Sequence, residues 1–209
     1  AALANRSSGW RDMARSAIAD NVGGTSDPSV LANNGRAVEP GPVFASTWDT
    51  NNRITSPSGN SSNDKTVRLP LVADGDYDFW VNWGDGQVSR IVTSDVSGPN
   101  PSVNHTYTAS GIKHLTITGE ISGFNLAKGV AGDKERLKLT EISSWGPLRL
   151  GTPTKQGEYF SGATNLAVTA TDDTLDLTGT TSLADAFRDV SSLEGPVGEW
   201  DVSAVTDMS

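Results

Sequence analysis

Cysteine is absent from the 209 residues. Disulfides, thiolate metal sites and a cysteine nucleophile are therefore excluded. Histidine and methionine occur only twice each. No apolar run reaches the roughly 18 residues of a membrane-spanning helix. The chain begins Ala1-Ala2-Leu3, without methionine, which suits a processed product or a piece of a longer chain. Positive charge is also scarce. Sixteen Lys and Arg stand against 25 Asp and Glu, for a formal net charge of −9. Such a surface argues against nucleic acid and anionic membrane as partners. The patterns G-x-S-x-G and H-E-x-x-H are missing as well.

Apolar residues make up 35% of the chain, which is low for one compact globule. The 22 glycines, with abundant Ser, Thr, Asn and Asp, suit short strands joined by many turns. The length predicts one or two domains with a core that needs no staples.

The most informative stretch is Phe79-Trp80-Val81-Asn82-Trp83-Gly84-Asp85-Gly86. An apolar run meets a Gly-Asp-Gly turn, and alternation resumes over Val88 to Val92. The pattern predicts a β-hairpin. His105-Thr106-Tyr107 follows, then Gly111 and a strand from Ile112 to Thr118, with Leu115 and Ile117 on one side and His114 on the other. Val43–Trp48 and Thr66–Leu71 read as earlier strands, and Asp74-Gly75-Asp76 as a turn. Trp83-Gly-Asp-Gly86, His105-x-Tyr107, Gly111 and Leu115-Thr-Ile117 resemble the pattern of PKD domains, over roughly residues 43–123. The resemblance implies an extracellular antiparallel β-sandwich acting as spacer or binding module.

Three features in this region could carry a site. Asp85 reads as a side-chain cap of its own turn or as a calcium ligand; a lone loop carboxylate falls far short of the 6–8 oxygens calcium takes. His105 is expected to pack beside the hairpin turn, and His114 to face solvent. Asp74, Asp76 and Asp78 alternate like a loose calcium loop without its closing Glu. No catalytic, cofactor-binding or metal-ligand residue is assigned, and calcium is the one ion the pattern leaves open.

Before this region, Trp10, Met13, Ala14, Ala17 and Ile18 predict one face of a short helix, started by Ser7 or Ser8 and ended by Gly23-Gly24. Residues 23–43 read as an extended arm, either a plain connection or an assembly arm. After the sandwich, the mixed charges of 128–136 are expected to form a solvated loop and a domain boundary. Leu137–Ile142 predicts a strand.

The sequence then copies itself. Leu175-Asp-Leu-Thr178 matches Trp200-Asp-Val-Ser203, and Thr180–Leu183 matches Val205–Met208, both 25 residues on. Phe160 and Leu166 recur as Phe187 and Leu193, 27 residues on. Such a period predicts a leucine-rich-repeat-type solenoid, each repeat offering a short strand and a turn of helix. Leu166, Leu175, Leu177, Leu183, Phe187, Leu193, Trp200, Val202 and Met208 are the expected core. Asp176 and Asp201 are expected to make one turn contact per coil, or a metal ladder. Phe160-Ser-Gly-Ala-Thr-Asn-Leu166 and Trp200-Asp-Val-Ser-Ala-Val-Thr-Asp-Met208 resemble BspA-like leucine-rich repeat surface proteins of bacteria. Two copies are fewer than a solenoid needs, so further repeats are expected after Ser209.

The expected architecture is mainly β. A helix and arm (1–42) precede a PKD-like sandwich (43–130), and a truncated repeat region (137–209) follows. The resemblances imply a non-catalytic cell-surface or secreted protein for adhesion or ligand display. Its partners would be protein or glycan on another surface, with no membrane span in this chain. The alternative is a structural subunit of an extracellular filament, sheath or virion, assembled from copies of itself through residues 1–42.

Overall fold

The computed structural model of the protein describes residues 41–55, 61–96, 103–129 and 132–209. The helix and nearly all of the arm expected in 1–42 lie outside the described residues. The rest is mainly β: β1 (Phe44–Asp49), β2 (Thr66–Arg68), β3 (Leu71–Asn82), β4 (Val88–Val92), β5 (Asn104–Thr106), β6 (Ile112–Phe124), β7 (Leu139–Ser144), β8 (Leu148–Arg149), β9 (Ala167–Val168) and β10 (Ser192–Leu193). One helical turn, α1 (Thr93–Val96), follows β4, and 3₁₀ turns occupy Gly132–Glu135 and Val197–Glu199.

Alternation builds the larger sheet. Phe79 and Val81 of β3, Leu115 and Ile117 of β6, and Phe44 and Trp48 of β1 are all buried. Their strand neighbours Asp78, His114 and Glu120 are exposed. One face therefore makes the core and the other meets water. The order is β10-β9-β7-β1-β6-β3-β4, with β8 on β6, and β2 pairs β5 separately. The β3–β4 hairpin closes through Gly84, whose φ of +81° suits glycine and where a Cβ would lie 2.3 Å from the His114 carbonyl oxygen.

Several expectations change. The sheet is mixed, not antiparallel throughout: β8 runs parallel to β6, β9 to β7 and β10 to β9. Those strands have two residues each, too few to show a period in sequence. Asp74-Gly75-Asp76 does not turn. It lies inside β3, where the register with β6 shifts between Leu71 and Asp76. Thr66–Leu71 is interrupted at Leu69-Pro70, because proline has no N–H to give a ladder. The line drawn between 130 and 137 falls within a single sheet, since β7 pairs antiparallel with β1. Val43–Ser209 forms one compact unit.

The charged stretch before β7 is not wholly solvated. Glu135 and Lys138 are both fully buried, with the ammonium 3.3 Å from the carboxylate. Lys138 Nζ also donates to Ser62 Oγ and to the carbonyls of Ser62, Asn63 and Thr66 at 2.7–3.0 Å. Glu135 accepts from Ser62 N and Ser62 Oγ. The pair thus satisfies the carbonyls of a loop that the sheet leaves unpaired.

Residues 137–209 show parallel pairing across successive passes of the chain but no complete solenoid, and their one helical turn is the 3₁₀ turn Val197–Glu199. Leu166, Leu175 and Leu177 are buried. Leu193, Val202 and Met208 are exposed, against expectation, because no described pass covers them.

Candidate functional site

Among the described residues no three His, Asp or Glu side chains gather as a metal site would need. The residues singled out by the sequence fall instead into three places.

The first is the hairpin turn. Trp83, at the end of β3's apolar run, stacks on His105 with ring centroids 4.9 Å apart. His105 Nε2 lies 2.7 Å from Asp85 Oδ2, and Asp85 Oδ1 accepts from Gln87 N at 3.1 Å. Tyr107 meets His105 edge-on and donates its hydroxyl to the Trp83 carbonyl at 2.8 Å. Burial pushes the Asp85 carboxyl up, but His105 and the backbone donors outweigh it, so the net displacement is downward. This arrangement locks strand β5 to the turn.

The second is the acidic alternation of β3, whose three carboxylates go to three partners. Asp78 accepts from Arg90 Nε and Nη2 at 2.9 and 3.0 Å. Asp76 accepts from Thr93 Oγ1 of α1. Asp74 accepts from Thr152 Oγ1, Thr154 N and Thr154 Oγ1, tying β3 to the chain after β8. They do not converge, because alternate positions in a strand lie about 7 Å apart and each meets a different segment.

The third is the succession of chain passes in 137–209. Glu141, Ala167 and Ser192 are register partners across β7, β9 and β10. Further along, Phe160 N donates to Ala186 O, Thr206 N to Thr181 O and Leu183 N to Asp207 O. Phe160 and Phe187 stack at 5.3 Å and 20°, and Phe187 leads on to Trp200 at 5.7 Å. Trp145 touches Phe160, Phe187 and Trp200. Leu175 is buried while Trp200 is half-buried at the last described pass. Asp176 and Asp201 each cap their own turn, accepting from Thr178 N and Ser203 N at 2.9 and 3.0 Å. Asp176 also binds Arg149 Nε at 2.8 Å.

Sequence reasoning missed a polar track on the outer sheet face. Thr47 Oγ1 lies 3.2 Å from His114 Nδ1 and donates to Glu141 Oε2, while Thr169 Oγ1 donates to Glu141 Oε1. Burial pushes the His114 imidazole down, and Glu141 opposes it. Strand alternation could have put each residue on that face, but not β7 beside β1. Against known proteins, the chain matches no family model, no curated protein and no solved structure.

Proposed function

We propose that this chain is a non-catalytic extracellular or cell-surface protein for adhesion or ligand display. Residues 43–130 serve as a PKD-like stalk or cap. Residues 137–209 are the first coils of a BspA-like leucine-rich-repeat solenoid that offers the interaction surface. One observation supports this reading above the rest. The segments that copy each other in sequence lie against each other in space, with Thr181 bonded to Thr206 and Phe160 stacked on Phe187. Repeating side chains at a fixed rise present the same chemistry again and again, which suits extended ligands. The acidic net charge keeps such a surface soluble and directs it towards neutral or cationic partners.

The test uses the whole chain over immobilised fibronectin, collagen and mucin, beside a Thr178→Arg/Ser203→Arg variant at two exposed matching positions. Saturable binding to one of them, weakened by the variant, is the expected result. Binding to none, or binding indifferent to the variant, would sink the proposal. A polymer formed by the whole chain and lost on deletion of 1–42 would favour the structural-subunit reading instead.

A further inference from the structure

The outer face of the large sheet carries one residue that its surroundings do not explain. Trp80 sits on β3 between Asp78 and Asn82, across from Thr118 of β6 and Arg90 of β4. Its strand neighbours Phe79 and Val81 point into the core, so its indole lies on the wet face, where it is half-buried. Two of the core tryptophans differ. Trp48 gives its indole N–H to Ser46 Oγ and Trp83 gives its own to Ser89 Oγ, both at 3.0 Å. No described group accepts from Trp80. A partly exposed indole with a spare donor is the amphipathic surface that binding sites favour over plain solvent contact.

The surroundings say what would sit there. Outward side chains of neighbouring strands stand in rows, so the face offers an aromatic ring with polar groups on both sides. Thr116 and Thr118 line up along β6, and the His114–Thr47–Glu141–Thr169 track continues the polar surface across three more segments. Hydroxyl, imidazole and carboxylate groups beside an indole match a sugar ring, whose C–H face stacks while its hydroxyls both donate and accept. Charge narrows the class. Arg90 is held by Asp78 in a two-point pair, and Arg149 by Asp176 with Glu120 near, so an anionic ligand finds these cations taken. Glu141 adds negative charge.

We propose that the outer face of the sheet, centred on Trp80 between Arg90 and Thr118, is a binding platform for a neutral glycan. The centre of this site, on β3, β4 and β6, lies outside residues 137–209 and stands whether or not the repeat surface binds anything. The test is native affinity electrophoresis of the whole chain through gels holding laminarin, mannan, xyloglucan or, as the acidic comparison, polygalacturonate. At least one neutral polysaccharide should slow the protein. Trp80→Ala should weaken that by about tenfold or more, and Trp80→Tyr should keep part of it. Thr118→Arg, on an outward position, should block the plane without touching the core, and it decides the matter if Trp80→Ala melts early. No slowing in any neutral gel overturns the proposal. So does slowing by polygalacturonate alone, or slowing unchanged in the variants that fold.

Discussion

The Lys138 ammonium lies 3.3 Å from the Glu135 carboxylate with neither side chain exposed to solvent. Burial pushes the lysine below its usual range, and Glu135 pulls the other way. Removing the cation would leave the buried Glu135 carboxylate with no countercharge and only the Ser62 N–H and hydroxyl as donors. Lys138→Met should therefore cost about 3–5 kcal/mol in urea unfolding, whereas Lys138→Met with Glu135→Leu should recover part of the loss. Equal loss in single and double variants would refute this role.

The stacked rings make a second test. Phe160 is fully buried against Phe124, Trp145 and Phe187. Phe160→Ala should destabilise by about 3–5 kcal/mol, and Phe187→Ala, only partly buried, by less. Denaturant midpoints at unchanged slope would establish the order.

Gly84 gives a backbone test. Its positive φ and the His114 carbonyl both oppose a side chain. Gly84→Ala should cost more than about 1 kcal/mol in thermal unfolding. A neutral result would mean that the turn relaxes freely.

Acid should weaken the protein partly through Asp74. Burial raises its pKa, but the hydroxyls of Thr154 and Thr152 and backbone donors bring the net value below the usual carboxylate. Its contribution is complete above the ordinary aspartate pKa and is lost as pH falls through the depressed folded value. Asp74→Asn should flatten the stability profile below about pH 4 while leaving the neutral-pH shape alone. An unchanged acid limb would exclude the link.

The sequence made some of this legible, for physical reasons. Ile112–Thr118 carries a clean period of two and lies in β6, though that strand runs on past Gly119 to Phe124, and the apolar run before Gly84-Asp85-Gly86 forms the end of β3. That His105 packs beside the turn of Asp85 was legible only through the PKD-like pattern, since β5 pairs with β2 and not with the hairpin. The 25-residue copies located Thr181 against Thr206. Long-range choices were not legible. Nothing local in Leu139–Ser144 says that its partner is Phe44–Asp49, and a charged pair three residues apart looks the same wet or buried. The Trp80 face escaped notice because a tryptophan in an apolar run reads as core until its strand has two sides.

β1 lies between β6 and β7, so the earliest described strand sits mid-sheet with partners made much later. On the ribosome, Phe44 and Trp48 emerge long before their sheet partners Ile112–Phe124 and Leu139–Ser144 have been translated. Such delayed closure slows folding and leaves a sticky nascent segment. Synthesis of this protein should therefore lean on chaperone capture of its N-terminal half, and its yield should fall when translation stalls before Ser144.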